Sequence, residues 1–161
     1  MNKNPTMSLL EAYSHIYEKI NNSLQKKMNS SHWDLAIQQL KDVDIVPSAS
    51  VPGVNLKNIR AKSEECYLNA LSVCMENPQV KYVEGYMEVH GVPIDHAWNY
   101  YNRKHFDITE ETLRQDKRKI ECPHRSIMII PFWKVSQFIL ETEVSGPYLE
   151  RWLVELEKEL V

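Results

Sequence analysis

The stretch VKYVEGYMEVHGVPIDHAWNYY, residues 80–101, decides the fold of this 161-residue chain. Its two halves, 80–89 and 94–101, are rich in β-branched and aromatic residues with partial alternation, a pattern typical of strands. Residues 90–93 (HGVP) predict the turn between them, because glycine and proline interrupt regular structure there. A second tight turn at Asn102-Arg103 leads to a third predicted strand that ends near Asp107. The sequence therefore predicts an antiparallel sheet.

Helical patterns lie on both sides of these strands. Residues 63–77 predict a helix with Cys66 near its start, and Ser63 is its expected N-cap. Residues 1–45 predict a helical N-terminal region, in which Trp33, Ile37 and Leu40 follow helical spacing. A short apolar strand and two further helices are expected within 126–161, with leucines and Trp152 along one side of the last helix.

These elements predict an α+β fold class, with an antiparallel sheet packed on a central cysteine-bearing helix and additional helices at both termini. A chain of this length suits one domain with a proper core. We expect a single domain over 1–161. It comprises a helical N-terminal region (residues 1–45), the cysteine helix with antiparallel strands (residues 60–110), and a strand with C-terminal helices (residues 126–161).

Composition excludes several classes of protein. The formal net charge of −3 gives no reason to expect nucleic-acid binding. No apolar run reaches the length of a membrane span, and no signal-peptide core follows the N-terminus. Cys66, Cys74 and Cys122 are odd in number and do not form a disulfide framework. The expected location is cytoplasmic (intracellular), with reduced thiols.

Three residues, in chain order a thiol, an imidazole and a carboxylate, suggest nucleophilic catalysis. Cys66 lies near a helix N-terminus, where the dipole and free N–H groups favour a thiolate, although Glu64 and Glu65 oppose this. His96 lies in a strand and is the candidate base. Asp107 follows it by eleven positions across a hairpin and is the candidate carboxylate that holds the imidazole tautomer.

Each of these residues also has a structural interpretation. Cys66 can be a small buried apolar residue, His96 a core histidine satisfied by a hydrogen bond, and Asp107 a helix cap at a strand-to-helix junction. His105 shares a strand face with Asp107 and is the competing imidazole. The other histidines are predicted at the surface or in loops: His15, His32, His90 and His124.

In residue type, order and element, the motifs ECYLNA (65–70), IDHAW (94–98) and FDIT (106–109) resemble the papain-like cysteine hydrolase superfamily. The resemblance is to its compact NlpC/P60-type and related bacterial or phage members, and it covers residues 60–110. It implies a cysteine hydrolase or acyltransferase that acts on an amide or peptide-like bond through a Cys-His-Asp triad. The chemistry needs no cofactor and no metal.

The expected partner is a peptide, amide or acyl substrate. The predicted substrate-binding residues are Asn58, Tyr67, Tyr86 and Trp98, and Asn58 or Asn55 is a possible oxyanion-hole side chain. Aromatic residues spaced by two in strands also suit a core, since one face of a sheet must be buried.

Two other functions stay open. The same fold can serve as a non-catalytic binding or inhibitory module that holds a partner protein, and the last helix can form either a homodimer seam or a portion of the core. A metal site at Cys122 and His124 lacks the paired Cys-x-x-Cys spacing of structural zinc and is not predicted.

Overall fold

The computed structural model describes residues 37–116 and 122–159 of the chain. Within these residues the protein is mixed α/β, and its strands form one antiparallel sheet, as the sequence predicts; the sheet has five strands. The strands are β1 (Ile37–Val43), β2 (Lys81–Val89), β3 (Val92–Tyr101), β4 (Lys104–Phe106) and β5 (His124–Ile130), in the spatial order β1-β5-β2-β3-β4. The α-helices are α1 (Cys66–Glu76), α2 (Ile108–Asp116), α3 (Phe132–Thr142) and α4 (Leu149–Glu159).

Two-residue turns connect the central strands. His90 and Gly91 join β2 to β3, and Asn102 and Arg103 join β3 to β4, all four with φ between 49° and 77°. Positive φ at both positions suits the hairpin turns whose twist matches the strands they connect. Pro93, expected in the turn, lies within β3. Because β4 pairs only with the last three residues of β3, the missing N–H of Pro93 faces an unpaired edge.

The sheet buries both of its faces. The main core lies on one face and includes Tyr82 and Tyr86 of β2 together with α1, α3 and α4. On this side the Asn99 Nδ2 atom donates to the Ala70 carbonyl of α1 at 2.9 Å. The second, smaller cluster on the other face is built from three residues of adjacent strands: Val83, Trp98 and Ile129.

The prediction of a helical region over residues 1–45 is wrong where the structure describes it. Residues 37–43 form β1, an edge strand in which Ile37 pairs with Met128 of β5. The register is irregular between Ile37 and Lys41, so the strand does not keep the two-residue alternation that would identify it in sequence. The helix expected from residue 8 onward lies outside the described residues.

The cysteine helix begins later than predicted. Ser63 is not its cap; α1 starts at Cys66, and Glu65 occupies the N-cap position without a side-chain hydrogen bond. Glu64 has φ 68° and takes the left-handed conformation before the helix. Cys66 is therefore the first helical residue, and both glutamates precede the helix.

A buried carboxylate ties α4 to the sheet. Glu84 is 3% exposed and accepts hydrogen bonds from the N–H groups of Tyr148 and Leu149, at 2.6 and 2.9 Å, and from the Tyr82 hydroxyl at 2.6 Å. Burial raises the pKa of Glu84 to about 7, although these three hydrogen bonds act to lower it. The partial positive charge at a helix N-terminus suits this carboxylate. Trp152 of α4 lies in the main core, as the core-packing alternative predicts.

None of the helices that the structure describes is both long enough and apolar enough to cross a membrane.

Candidate active site

His96 and Asp107 are in direct contact on the face of the smaller cluster. Asp107 follows β4 and precedes α2, at the point where the chain leaves the sheet. His96 Nε2 lies 2.6 Å from Asp107 Oδ2, and the two residues are 4% and 1% exposed. Such a short bond between buried partners is typical of a charge-assisted hydrogen bond. The structure thus brings together the predicted imidazole and carboxylate.

Cys66 lies near the same ring. Cys66 is half-buried at the first position of α1, and its thiol lies close enough to His96 to act on the pKa of the ring. Burial alone would lower the pKa of His96. The hydrogen bonds to Asp107 and Cys66, and the negative charges of both groups, instead raise the pKa of His96 to about 10. Since Nε2 is bonded to Asp107, Nδ1 is the ring nitrogen left for the thiol.

Asp107 is both a helix cap and the partner of His96. Its Oδ1 atom accepts the Glu110 N–H at 3.1 Å, so Asp107 caps α2. Its Oδ2 atom contacts His96 and also His124. Burial would raise the pKa of this carboxyl group, but hydrogen bonds from the two histidines and their charges hold the pKa well below its usual range. Asp107 therefore caps α2 with one oxygen and contacts two histidines with the other.

His124 is the site residue that the sequence interpretation misses. The sequence predicts it at the surface or in a loop, but it is the first residue of β5 and only 2% exposed. Its Nε2 atom lies 2.8 Å from Asp107 Oδ2, and its Nδ1 atom lies 2.7 Å from the Cys122 carbonyl oxygen. The only signal in the sequence is its position at the head of an apolar strand, which does not indicate a partner.

Gly85 lets the backbone of β5 and the Trp98 ring pack closely against β2, next to the two histidines. It lies in β2, between β3 and β5, and pairs with His96 on one side and Ser126 on the other. A Cβ atom at Gly85 would lie 2.0 Å from the Arg125 carbonyl oxygen and 2.9 Å from the Trp98 ring. The ring centroids of His96 and His124 are 5.6 Å apart across this position.

The same cluster contains donors that a transition metal could use. One donor atom each from His96, Asp107 and His124 lies within 4.8 Å of the others, and two imidazoles with a carboxylate suit such ions. The nitrogen-to-oxygen separations of 2.6 and 2.8 Å are hydrogen-bond lengths. Donors around a tetrahedral zinc ion stand roughly 3.3 Å apart. In this structure the contacts of Asp107 with the two histidines are hydrogen bonds.

The predicted substrate-binding residues have very different environments. Asn58 is exposed in the segment before α1, and Tyr67 is half-buried next to Cys66. Burial raises the pKa of Tyr67 well above its usual value, and the charges of Glu84 and Cys66 add to the effect. Both side chains thus have solvent-accessible surface, and Tyr67 is next to Cys66 in the chain.

Trp98 and Tyr86 offer almost no surface, being 1% and 4% exposed. The Trp98 ring stacks on His96 and its Nε1 atom donates to His105 Nδ1 at 3.0 Å. The Tyr86 hydroxyl accepts from Arg125 at 2.9 Å. Burial, with the charges of His124 and Lys41, lowers the pKa of His105 to about 4. The competing imidazole is thus a neutral partner of Trp98.

Asn69 fixes the approach to the cysteine helix. Its side chain accepts the Lys62 N–H at 3.1 Å and donates to the Lys62 carbonyl at 2.7 Å and to Thr109 Oγ1 at 2.8 Å. It lies one turn after Cys66 and joins the preceding loop to the start of α2. This residue holds the thiol and the carboxylate segments together.

Comparison of the chain with protein-family models, with curated proteins and with solved structures found no match. The geometry of the cluster is therefore the basis for a functional assignment.

Proposed function

We propose that the protein is a cysteine hydrolase or acyltransferase that acts on an amide or peptide-like bond, with a papain-like arrangement of a cysteine helix on an antiparallel sheet. Cys66 is the nucleophile, His96 the general base and acid, and Asp107 the group that orients His96. One observation carries the proposal: the ring of His96 lies 2.6 Å from the buried Asp107 carboxylate, and the Cys66 thiol lies close enough to the same ring to raise its pKa.

The protonation of the two His96 ring nitrogens supports this assignment. With Nε2–H donated to Asp107, Nδ1 of His96 can take the thiol proton and form a thiolate–imidazolium pair. The raised pKa of His96, about 10, favours the protonated ring at neutral pH. The position of Cys66 at the start of α1 also favours a thiolate, because the N-terminal N–H groups of a helix carry partial positive charge.

The reaction follows from these positions. The Cys66 thiolate attacks the carbonyl carbon, and N–H groups at the start of α1 stabilise the oxyanion, since the first N–H groups of a helix lack intrahelical acceptors. His96 gives its Nδ1 proton to the leaving amine, and an acyl-thioester with Cys66 remains. Water or an acceptor amine, deprotonated by His96, then attacks the thioester and releases Cys66.

Selective alkylation tests this function. Iodoacetamide at pH 7, followed by peptide mass spectrometry, should label Cys66 at least about tenfold faster than Cys74 or Cys122, because the thiolate is the reactive form. The His96→Ala variant should lose most of this difference. His105→Ala is the matched control, because it removes a neighbouring imidazole that accepts a hydrogen bond from Trp98. Cys66 should stay reactive in this variant.

The alternative function predicts a different result. In a non-catalytic binding or inhibitory module, the three cysteines would react slowly and His96→Ala would change nothing. An electrophilic acyl probe gives a second readout, because it should form a thioester with Cys66 in the wild type and none in Cys66→Ala. Slow labelling together with no acylation would contradict the hydrolase proposal.

A further inference from the structure

We propose that His124 is a positioning residue of this centre, a doubly protonated ring that fixes the Asp107 carboxylate and shares its charge with His96. The inference rests on the proposed function, because it assigns His124 a role in preparing the Cys66 thiolate. His124 does not reach the reacting atoms and acts through Asp107.

The argument begins with the hydrogen-bond partners of the His124 ring. Its Nδ1 atom lies 2.7 Å from the Cys122 carbonyl oxygen, which only accepts, so Nδ1 must carry a proton. Its Nε2 atom lies 2.8 Å from Asp107 Oδ2, which also accepts when ionised. Both ring nitrogens therefore face acceptors, and a doubly protonated ring satisfies both contacts. A neutral ring would place a nitrogen lone pair against a carboxylate lone pair.

Asp107 has the acceptor capacity that this arrangement requires. Its Oδ1 atom takes the Glu110 N–H, and its Oδ2 atom takes one N–H from each histidine. A carboxylate oxygen has two lone pairs, so each contact is a complete hydrogen bond. Three donors from three directions leave the carboxylate one orientation.

The charges around His124 support a cation at this position. Besides Asp107, Glu110 presents Oε2 at 3.7 Å from Nε2 and is 5% exposed. The neighbouring rings are His96 from β3, Trp98 from β3 and His105 from β4. Lys41 of β1 places a positive charge near His105. The His105 ring itself is neutral and adds no charge. Two carboxylates, those of Asp107 and Glu110, thus face His124.

A cation at His124 has a consequence for Cys66. The His124 cation is next to His96, so its positive charge stabilises a negative thiolate at Cys66. The same charge weakens the attraction of Asp107 for the His96 proton. Replacing it with a neutral side chain should move the pH at which Cys66 becomes reactive upward. A group that only filled space would not change this profile.

Nitrogen-15 NMR of the histidine rings in the intact protein tests the protonation directly. At pH 7 we expect both ring nitrogens of His124 to carry protons. A ring with one unprotonated nitrogen would overturn the proposal. So would a stoichiometric transition metal that a chelator removes, because His124 Nε2 would then hold an ion in place of a proton.

Variants test the link to the thiol. His124→Gln should raise the midpoint of the Cys66 alkylation profile by about half to one pH unit, which slows labelling at pH 6 roughly three- to tenfold. The matched control is His90→Gln, an exposed turn residue, which should leave the midpoint unchanged. Thermal melting establishes that each variant is folded, and the NMR result needs no variant.

A folded His124→Gln protein with an unchanged midpoint would overturn the inference. Failure of the proposed function has a different signature, because Cys66 of the wild type would then react no faster than Cys122 whatever the protonation of His124.

Discussion

The carboxylate of Asp107 lies 2.6 Å from the ring of His96 while its other oxygen caps the helix that follows it. One side chain therefore couples the start of α2 to the imidazole next to Cys66. Asp107 contributes both a helix cap and a negative charge, so variants at this position can separate the two contributions.

Asp107→Asn should keep the cap but remove the charge. An amide oxygen can still accept the Glu110 N–H, whereas the His96 and His124 rings lose their ionised partner. We expect at least about tenfold slower alkylation of Cys66 at pH 7, together with a loss of about 3 kcal/mol in the free energy of unfolding. Alkylation rates and urea denaturation measure the two effects.

The control for this variant is Asp42→Asn, which breaks an exposed ion pair with Arg125. Exposed pairs contribute about 1 kcal/mol or less.

The depressed pKa of Asp107 stabilises the folded state above pH 3.8, the ordinary carboxyl pKa, and this stabilisation is lost as the pH falls through the pKa of the folded state. The wild type should therefore lose its advantage over Asp107→Asn in acid. Equal stability of the two proteins at pH 7 would contradict this prediction.

Gly85→Ala should destabilise the protein by about 3 kcal/mol, because the new methyl group would meet the Arg125 carbonyl oxygen at 2.0 Å. Gly91→Ala is the control: it has open space but φ 77°, so only backbone strain of about 1 kcal/mol is expected. Chemical denaturation compares the two. A smaller loss at Gly85 than at Gly91 would show that β2 and β5 can separate without cost.

Glu84 should make the stability of the protein depend on pH. Its pKa rises from 4.5 to about 7 on folding, so the folded state binds this proton more tightly than the unfolded state. The stabilisation is complete below pH 4.5 and is lost as pH rises through about 7. Between pH 5 and pH 8 the wild type should lose more stability than Glu84→Gln, whose side chain does not titrate.

Urea denaturation at both pH values measures this difference. Glu88→Gln, a half-buried position of the same strand, is the control and should keep the wild-type slope. An identical slope in wild type and Glu84→Gln would show that Glu84 binds no extra proton on folding.

Asn69→Ala should loosen the segment before the cysteine helix. It removes three hydrogen bonds, two to Lys62 and one to Thr109, and a loss of about 2 to 3 kcal/mol is expected because buried partners are left unsatisfied. Asn58→Ala, at an exposed position, should change stability by about 0.5 kcal/mol or less. Thermal melting compares the two variants, and equal losses would contradict the role assigned to Asn69.

Local sequence patterns predict the elements that depend on neighbouring residues. The turns at His90-Gly91 and Asn102-Arg103 are recognisable in the sequence because each contains a glycine or an asparagine, the residues that most readily adopt positive φ. The apolar spacing predicts the cysteine helix but places its start three residues early. Ser63 is a good N-cap residue by type, while the left-handed Glu64 that delays the helix has no sequence signature.

Patterns fail where pairing partners are distant. The residues of β1 follow helical spacing in the sequence, since an edge strand with an irregular register loses its alternation. The prediction of His124 at the surface is wrong for a related reason. Nothing near it in sequence indicates that β5 inserts between β1 and β2 and brings its first residue to Asp107.

The sequence by itself determined the central hairpins and the order of Cys66, His96 and Asp107, because turn chemistry and strand periodicity are local properties. Only the tertiary structure decided that two imidazoles share one carboxylate. That contact depends on the strand order β1-β5-β2-β3-β4, which hydrogen bonds between distant segments establish. It also depends on Gly85, where close packing of backbone against ring leaves no room for a side chain.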